Sequence, residues 1–225
     1  MDMIRKNLPA LCLLAVIVFA SGCVGKYAPE PVKAGPQPDG SILVTSNQFL
    51  RPAGFQVYLP GRPVDLALMP DGNFLLVKTK ADIEMIRLSD RMVMQSLPFR
   101  TKQASFTGIV LSRDGRHLYA TDASSHVCVA AINSDNIMQW QEPILLPGPQ
   151  AGGDPAPGDL ALDEEGNKLF VTLSRNNTLA VIDMDDNSVE EIPVGIAPYS
   201  VICLSATKAY VSNWGGRPPV EGESS

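Results

Sequence analysis

The chain has 225 residues and a mass of 24.2 kDa, with 45% hydrophobic residues, 19% charged residues and a formal charge of −6. That apolar content excludes a disordered chain, and its scatter along the sequence excludes a polytopic membrane protein. A pI near 4.9 excludes a nucleic-acid partner, which needs clustered Lys and Arg. Glycine (18) and proline (19) favour many turns over long helices.

In chain order, residues 1–22 read first as a signal peptide. Arg5 and Lys6 form a short positive region, and Leu8 to Ala20 is an apolar run too short to span a bilayer comfortably. The run ends in Ala20-Ser21-Gly22-Cys23. That ending resembles the lipobox of bacterial lipoproteins, in which cleavage precedes the cysteine and its thiol is lipidated. The departure is Ala20, where the family usually has Leu. The resemblance implies lipidation at Cys23; the plainer reading is an ordinary cleaved leader with an incidental cysteine. Each buried methylene of an acyl chain contributes about 0.8 kcal/mol, so several chains anchor stably where one does not. Val24, in place of Asp, points to the outer membrane of a diderm bacterium, on its periplasmic side. Loss of residues 1–22 removes Arg5, Lys6 and Asp2 and leaves a mature charge of −7. Residues 23–40, with Pro29, Pro31, Pro36 and Pro38, read as a lipidated, extended tether.

Residues 41–225 read as one repeat array. Asp65-Leu66-Ala67-Leu68 returns identically as Asp159-Leu160-Ala161-Leu162. Each is followed by a turn and a second apolar run, Phe74 to Val77 and Lys168 to Val171. A third copy spans Gly108 to Ala120, and a fourth begins at Ser200 and continues through Lys208 to Asn213. The turn glycines Gly72, Gly115 and Gly166 stand 43 and 51 residues apart, the longer gap holding a Gly/Pro-rich insertion from Pro147 to Pro157. A period of about 40–45 residues marks propeller blades. The first two strands of each unit join at an Asp-Gly-type turn. Third strands follow at Ile83–Leu88, Val127–Ile132 and Leu179–Met184, and fourth strands at Val93–Leu97, Ile144–Leu146 and Val189–Val194. The expected fold is all-β, a β-propeller of four-stranded antiparallel blades. The repeats cover about 57–99, 105–147, 157–195 and 198–217, making three complete blades, a partial fourth and an incomplete ring.

Tyr210-Val211-Ser212-Asn213, with Ser in the Thr position, and more loosely Tyr119-Ala120-Thr121-Asp122, resemble the signature tetrad of YVTN-type β-propeller repeat proteins. The stretch from Ile42 to Thr45, the turn Pro52-Ala53-Gly54, and Trp214-Gly215-Gly216-Arg217-Pro218 are similar to bacterial propellers that carry a C-terminal phosphoesterase domain. The resemblance covers about residues 41–218 and implies repeat type and fold. It implies no catalysis here, because the metal-binding region of the phosphoesterase is missing.

Chemistry-bearing residues are sparse. His117 and His126 share repeat columns with Lys and Asp, which predicts surface positions. Asp183-Met184-Asp185-Asp186-Asn187-Ser188 partly mimics a calcium loop but lacks its glycine and its closing glutamate, so a hairpin turn is expected. Asn176-Asn177-Thr178 is formally a glycosylation sequon and reads as a turn. Cys128 and Cys203 lie in different repeats within apolar runs and read as buried free thiols. Tyr119, Phe170 and Tyr210 share one column, as expected for packing between blades. No nucleophile elbow, phosphate loop or dinucleotide fingerprint occurs, and no catalytic residue, cofactor or metal ligand is assigned.

The expected function is a membrane-tethered, extracytoplasmic binding or scaffold module whose propeller face takes a protein or small-molecule ligand. The alternatives are the N-terminal part of a propeller-fused phosphoesterase and, more weakly, a lactonase- or quinoprotein-type propeller enzyme. The partial fourth blade suggests a truncated longer propeller. The competing expectation has Ile42–Thr45 and Phe55–Tyr58 complete that blade and close a small ring.

Overall fold

A computed structural model describes residues 32–101, 103–163 and 165–217; the leader and Cys23 lie outside the described residues. Every regular element among them is a strand. The chain divides into two compact units, Met1–Gln56 and Val57–Ser225.

The first unit holds a three-stranded antiparallel meander, β1 (Gly35–Pro36), β2 (Ile42–Leu43) and β3 (Phe49–Leu50). Asp39 shapes the first turn by accepting from the Ser41 backbone N–H at 3.0 Å and its hydroxyl at 2.5 Å, which holds its carboxyl below the usual range. Asn47, at φ 62°, turns the second corner. These tight local turns close short loops at little entropic cost. Ile42–Leu43 pairs with β1 and β3, and Phe55–Tyr58 forms no strand. The expectation that these segments complete the fourth blade is therefore corrected.

The second unit carries the repeats. Blade 1 comprises β4 (Pro63–Leu68), β5 (Phe74–Thr79), β6 (Asp82–Arg87) and β7 (Met92–Pro98). Blade 2 comprises β8 (Ala104–Leu111), β9 (His117–Asp122) and β10 (His126–Ile132), with its outermost strand split into β11 (Met138–Trp140) and β12 (Ile144–Leu145). Pro143 lies between those halves and cannot donate to the ladder, which accounts for the split. Blade 3 comprises β13 (Pro157–Leu162), β14 (Lys168–Leu173), β15 (Thr178–Asp183) and β16 (Val189–Pro193). A fourth sheet has two strands, β17 (Pro198–Ser205) and β18 (Lys208–Asn213). Within each sheet the antiparallel order follows chain order, and β4, β8, β13 and β17 stand side by side as the inner strands. The ring is not closed.

Strand periodicity gives each blade two apolar faces. Leu76, Ile83 and Met85 of blade 1 pack on Ile109, Leu118 and Ala120 of blade 2. Tyr119 and Val127 pack on Leu160, Leu169 and Val171 of blade 3, and Phe170 and Val181 on Val201 and Val211 of the fourth sheet. The aromatic column behaves as its position dictates: Tyr119 is 8% exposed, Phe170 4%, and Tyr210, on the last sheet among the described residues, 53%. Phe170→Ala is expected to cost about 3–5 kcal/mol in urea unfolding, whereas Tyr210→Ala should stay within about 0.5 kcal/mol. Equal costs would mean that the face of the fourth sheet is covered in solution.

Charged and hydroxyl side chains stitch the blades together. Asp65 Oδ2 accepts from the Gly108 N–H at 2.7 Å, and Asp159 Oδ2 accepts from the Ser200 hydroxyl and the Val201 N–H at 2.5 and 3.1 Å. The Thr121 hydroxyl donates to Gly158 O at 2.7 Å.

Candidate functional site

The site is built on a distortion of β8. Ala104 pairs with Asp122 and Ile109 with Ala120, so Ser105 to Gly108 bulge opposite Thr121 alone. Such a bulge re-aims side chains, but it leaves backbone groups off the ladder that need partners. Lys78, fully buried on β5, supplies them. Its Nζ lies within hydrogen-bond reach of four oxygens, Thr107 O, Gly108 O at 3.0 Å, Ser105 Oγ at 2.7 Å and Thr121 Oγ1 at 3.2 Å, among which its N–H groups are shared. Burial pushes its pKa down to about 7, against the opposing pull of Asp65 and, more weakly, Cys128, Asp122 and Asp159. With Ser105 turned in toward Lys78, Phe106 projects outward.

Phe106, near the start of the inner strand β8 and 60% exposed, lines an opening between the inner strands. Arg62 Cζ lies 5.8 Å and Lys80 Nζ 5.1 Å from its ring centroid, within cation–π range. Trp214 reaches the same opening. A backbone clamp holds it: Trp214 N–H donates to Ala197 O, Gly215 N–H to Ile196 O, and Ile196 N–H to Gly216 O, each at 2.9 Å. Gly195 permits this approach, because a Cβ there would collide with Asn213 and the Gly216 carbonyl. The clamp stacks the indole on Tyr199, with centroids 5.1 Å apart and planes at 21°. Although so fixed, Trp214 is 78% exposed.

Two hollows meet on this surface. One, of about 670 Å³, runs between Lys80, Phe106 and Tyr199, with Ala156 to Gly158 as part of its wall. The other, of about 530 Å³, lies between Arg62, Phe106 and Trp214. Thr107 and Ser174 line both. Among the described residues that line them none is Asp, Glu, His or Cys, and Arg62 and Lys80 form no ion pair among the described residues. In a chain of net charge −6 the opening is thus locally cationic and aromatic.

The residues weighed from sequence fall elsewhere. Cys23 lies outside the described residues. His117 is exposed, as expected, but His126 is half-buried, its Nδ1 3.0 Å from the buried carboxylate of Asp122. The column argument missed that partner because Asp122 is two strand ends away in its own hairpin. The Asp183–Ser188 segment is a hairpin turn: Asp183 and Asp186 accept from the N–H groups of Asp185 and Ser188, and Asn187 has φ 60°. Asn177, at φ 58°, likewise sits in a turn. Cys128 and Cys203 are free. Cys128 is buried, and burial raises its thiol to about 12; Cys203 is only half-buried, because it faces the seam beside the incomplete sheet. Sequence reasoning passed over Lys78, Phe106 and the insertion wall. The available signals were a Lys in the column of Thr121, Thr172 and Ser212, and the extra length between Gly115 and Gly166.

Comparison with known proteins agrees with the sheets. Pseudomonas aeruginosa periplasmic gluconolactonase aligns with TM-score 0.60 and 17% identity, over 78% of this chain and 56% of its own. The WD40 repeats of RRP9 give 0.58 and 17%, over 70% and 46%, and Kuenenia stuttgartiensis hydrazine synthase 0.52 and 20%, over 67% and 42%. The chain is an open β-propeller. It spans about half the length of these solved propellers. At such identities the likeness concerns fold alone. No family model and no curated protein matches the chain.

Proposed function

We propose that this propeller is a ligand-binding module of a bacterial envelope, tethered through a lipidated Cys23, with the channel opening as its binding face. The observation that carries this reading is Trp214, an indole fixed by a backbone clamp yet left open beside a hollow. Phe106, Tyr199 and Trp214 together leave a contiguous exposed aromatic patch around that hollow, the kind of surface that marks a ligand site. Among the described residues no carboxylate, imidazole or thiol lines the hollows, which favours binding over hydrolysis by these residues. A second reading, that the chain is the N-terminal part of a longer propeller such as the phosphoesterase-fused group, draws support from the end sheets. Leu66 and Tyr210 are exposed, although Ile109, Leu160, Tyr119 and Phe170, their equivalents in the repeat, are buried between blades.

A thermal-shift screen of small-molecule ligands tests the binding face. Stabilising ligands should lose their effect in Trp214→Ala; stabilisation indifferent to that change would overturn the assignment. Mass spectrometry of membrane-extracted protein should find an acylated Cys23 as the first residue. An unmodified Cys23, or cleavage elsewhere, would remove the tether.

A further inference from the structure

We infer that the channel opening takes a small anion that carries an aromatic ring. This rests on the binding face proposed above and adds the chemistry of its occupant. Two features of the opening must be satisfied by one molecule. Arg62 and Lys80 bring two cations to 5.8 and 5.1 Å from the centroid of the Phe106 ring, and among the described residues neither is ion-paired and no carboxylate lines the hollows. Cations gathered in a concave, half-apolar site and left without a counter-charge favour an incoming carboxylate or phosphate, and Arg suits its fork geometry. Across the second hollow, Trp214 stacks on Tyr199 with its other surroundings open. A flat aromatic wall of that kind accepts a flat ring by offset stacking. The hollow between them, about 530 Å³, lies in the range of small-molecule sites.

The arrangement is built rather than incidental. Phe106 is placed by the bulge that buried Lys78 and Asp65 hold. Trp214 is placed by three backbone hydrogen bonds from the 195–197 segment. The two anchors come from blade 2 and from the end of the fourth sheet, and converge on one hollow. A ligand spanning them would bridge the inner strands.

The test uses adenosine 5′-monophosphate as a ring-bearing anion, adenosine as the neutral ring and inorganic phosphate as the bare anion, with binding read by titration calorimetry and tryptophan fluorescence. Adenosine monophosphate should bind at least about tenfold more tightly than either fragment, since each fragment lacks either the charged or the stacking contact. Arg62→Gln combined with Lys80→Gln should reduce its affinity to that of adenosine and leave adenosine unchanged. Trp214→Ala should weaken both ring compounds and leave phosphate unchanged. All three positions are exposed, so melting temperatures should match the parent. If adenosine binds as tightly as its monophosphate and loses affinity in Trp214→Ala, the anion inference falls while the binding face stands. If the monophosphate binds indifferently to all these substitutions, both fall. No measurable binding of the monophosphate at millimolar concentration overturns the inference.

Discussion

Gly108→Ala is expected to destabilise the propeller by about 2–5 kcal/mol, the sum of a left-handed backbone penalty of about 1–2 and an overpacked seam of about 1–3. Gly108 has φ +90°, a conformation that side chains other than glycine rarely adopt. A Cβ there would press on the Gly158 carbonyl of the next blade and stand 2.5 Å from Thr121 Oγ1. Relaxation is blocked on three sides. Gly108 N–H is held by Asp65, its carbonyl by Lys78, and Thr121 is itself bonded to Gly158 O. Gly72→Ala is the matched control. Its φ is +71°, but a Cβ there meets nothing within 4 Å, so only the conformational penalty of about 1–2 kcal/mol applies. Urea midpoints at constant m-value separate the two. If both substitutions cost the same, the seam between blades 2 and 3 yields and the bulge is not the pinned element described above.

That pinned seam also shows what was legible in the sequence. Repetition made the blades readable: Asp65-Leu66-Ala67-Leu68 and Asp159-Leu160-Ala161-Leu162 occupy the same inner-strand register, and the inferred strand runs fall on the strands of blades 1 and 3 and the fourth sheet within a residue or two, whereas in blade 2 β11 and the first four residues of β8 were missed. The tetrad Tyr119-Ala120-Thr121-Asp122 has a physical meaning that a pattern match does not carry. Tyr119 packs toward the next blade, Thr121 bonds its backbone, and Asp122 closes the turn into β10 by accepting from the Ser124 and His126 N–H groups. The binding face was illegible for the opposite reason. Phe106 belongs to no repeat column, because four residues of β8 stand where one stands on β9. Trp214 was noticed for its resemblance, but its exposure follows from hydrogen bonds to residues 196 and 197, across a hairpin. Arg62, Phe106 and Trp214 lie far apart in sequence, and only the inner strands bring them together. Lys78 was hidden by convention, since a lysine at the end of an apolar strand reads as solvent-facing.

The same lysine sets the second large expectation, a rise in stability from pH 7 to pH 9. Burial lowers the Lys78 ammonium from 10.5 to about 7, so the folded protein sheds a proton that the unfolded chain keeps throughout that interval. The state that binds fewer protons gains as pH rises, and the slope approaches about 1.4 kcal/mol per pH unit. The groups that act on Lys78 bound the window. Asp65 and, more weakly, Asp122 and Asp159 pull against the downward shift without reversing it. Cys128 acts above that window with the opposite sign. Its buried thiol is raised from 9.0 to about 12, so above pH 9 the unfolded chain loses a proton that the folded protein retains, which opposes the Lys78 rise and outlasts it once the unfolded lysine titrates at 10.5. The maximum therefore lies between pH 9 and 10.5, where the two slopes cancel. Lys78→Met keeps the length of the side chain and removes the titration: its denaturation midpoints should be flat from pH 7 to 9 and still decline beyond. At pH 9 it should be less stable than the parent by about 1–3 kcal/mol, because the Thr107 and Gly108 carbonyls lose their buried donor. A parent profile that is flat over the same interval would mean that Nζ keeps its proton in the folded state. The bulge would then be held by an ammonium, and the rigidity of Phe106 would depend on charge rather than on a neutral amine.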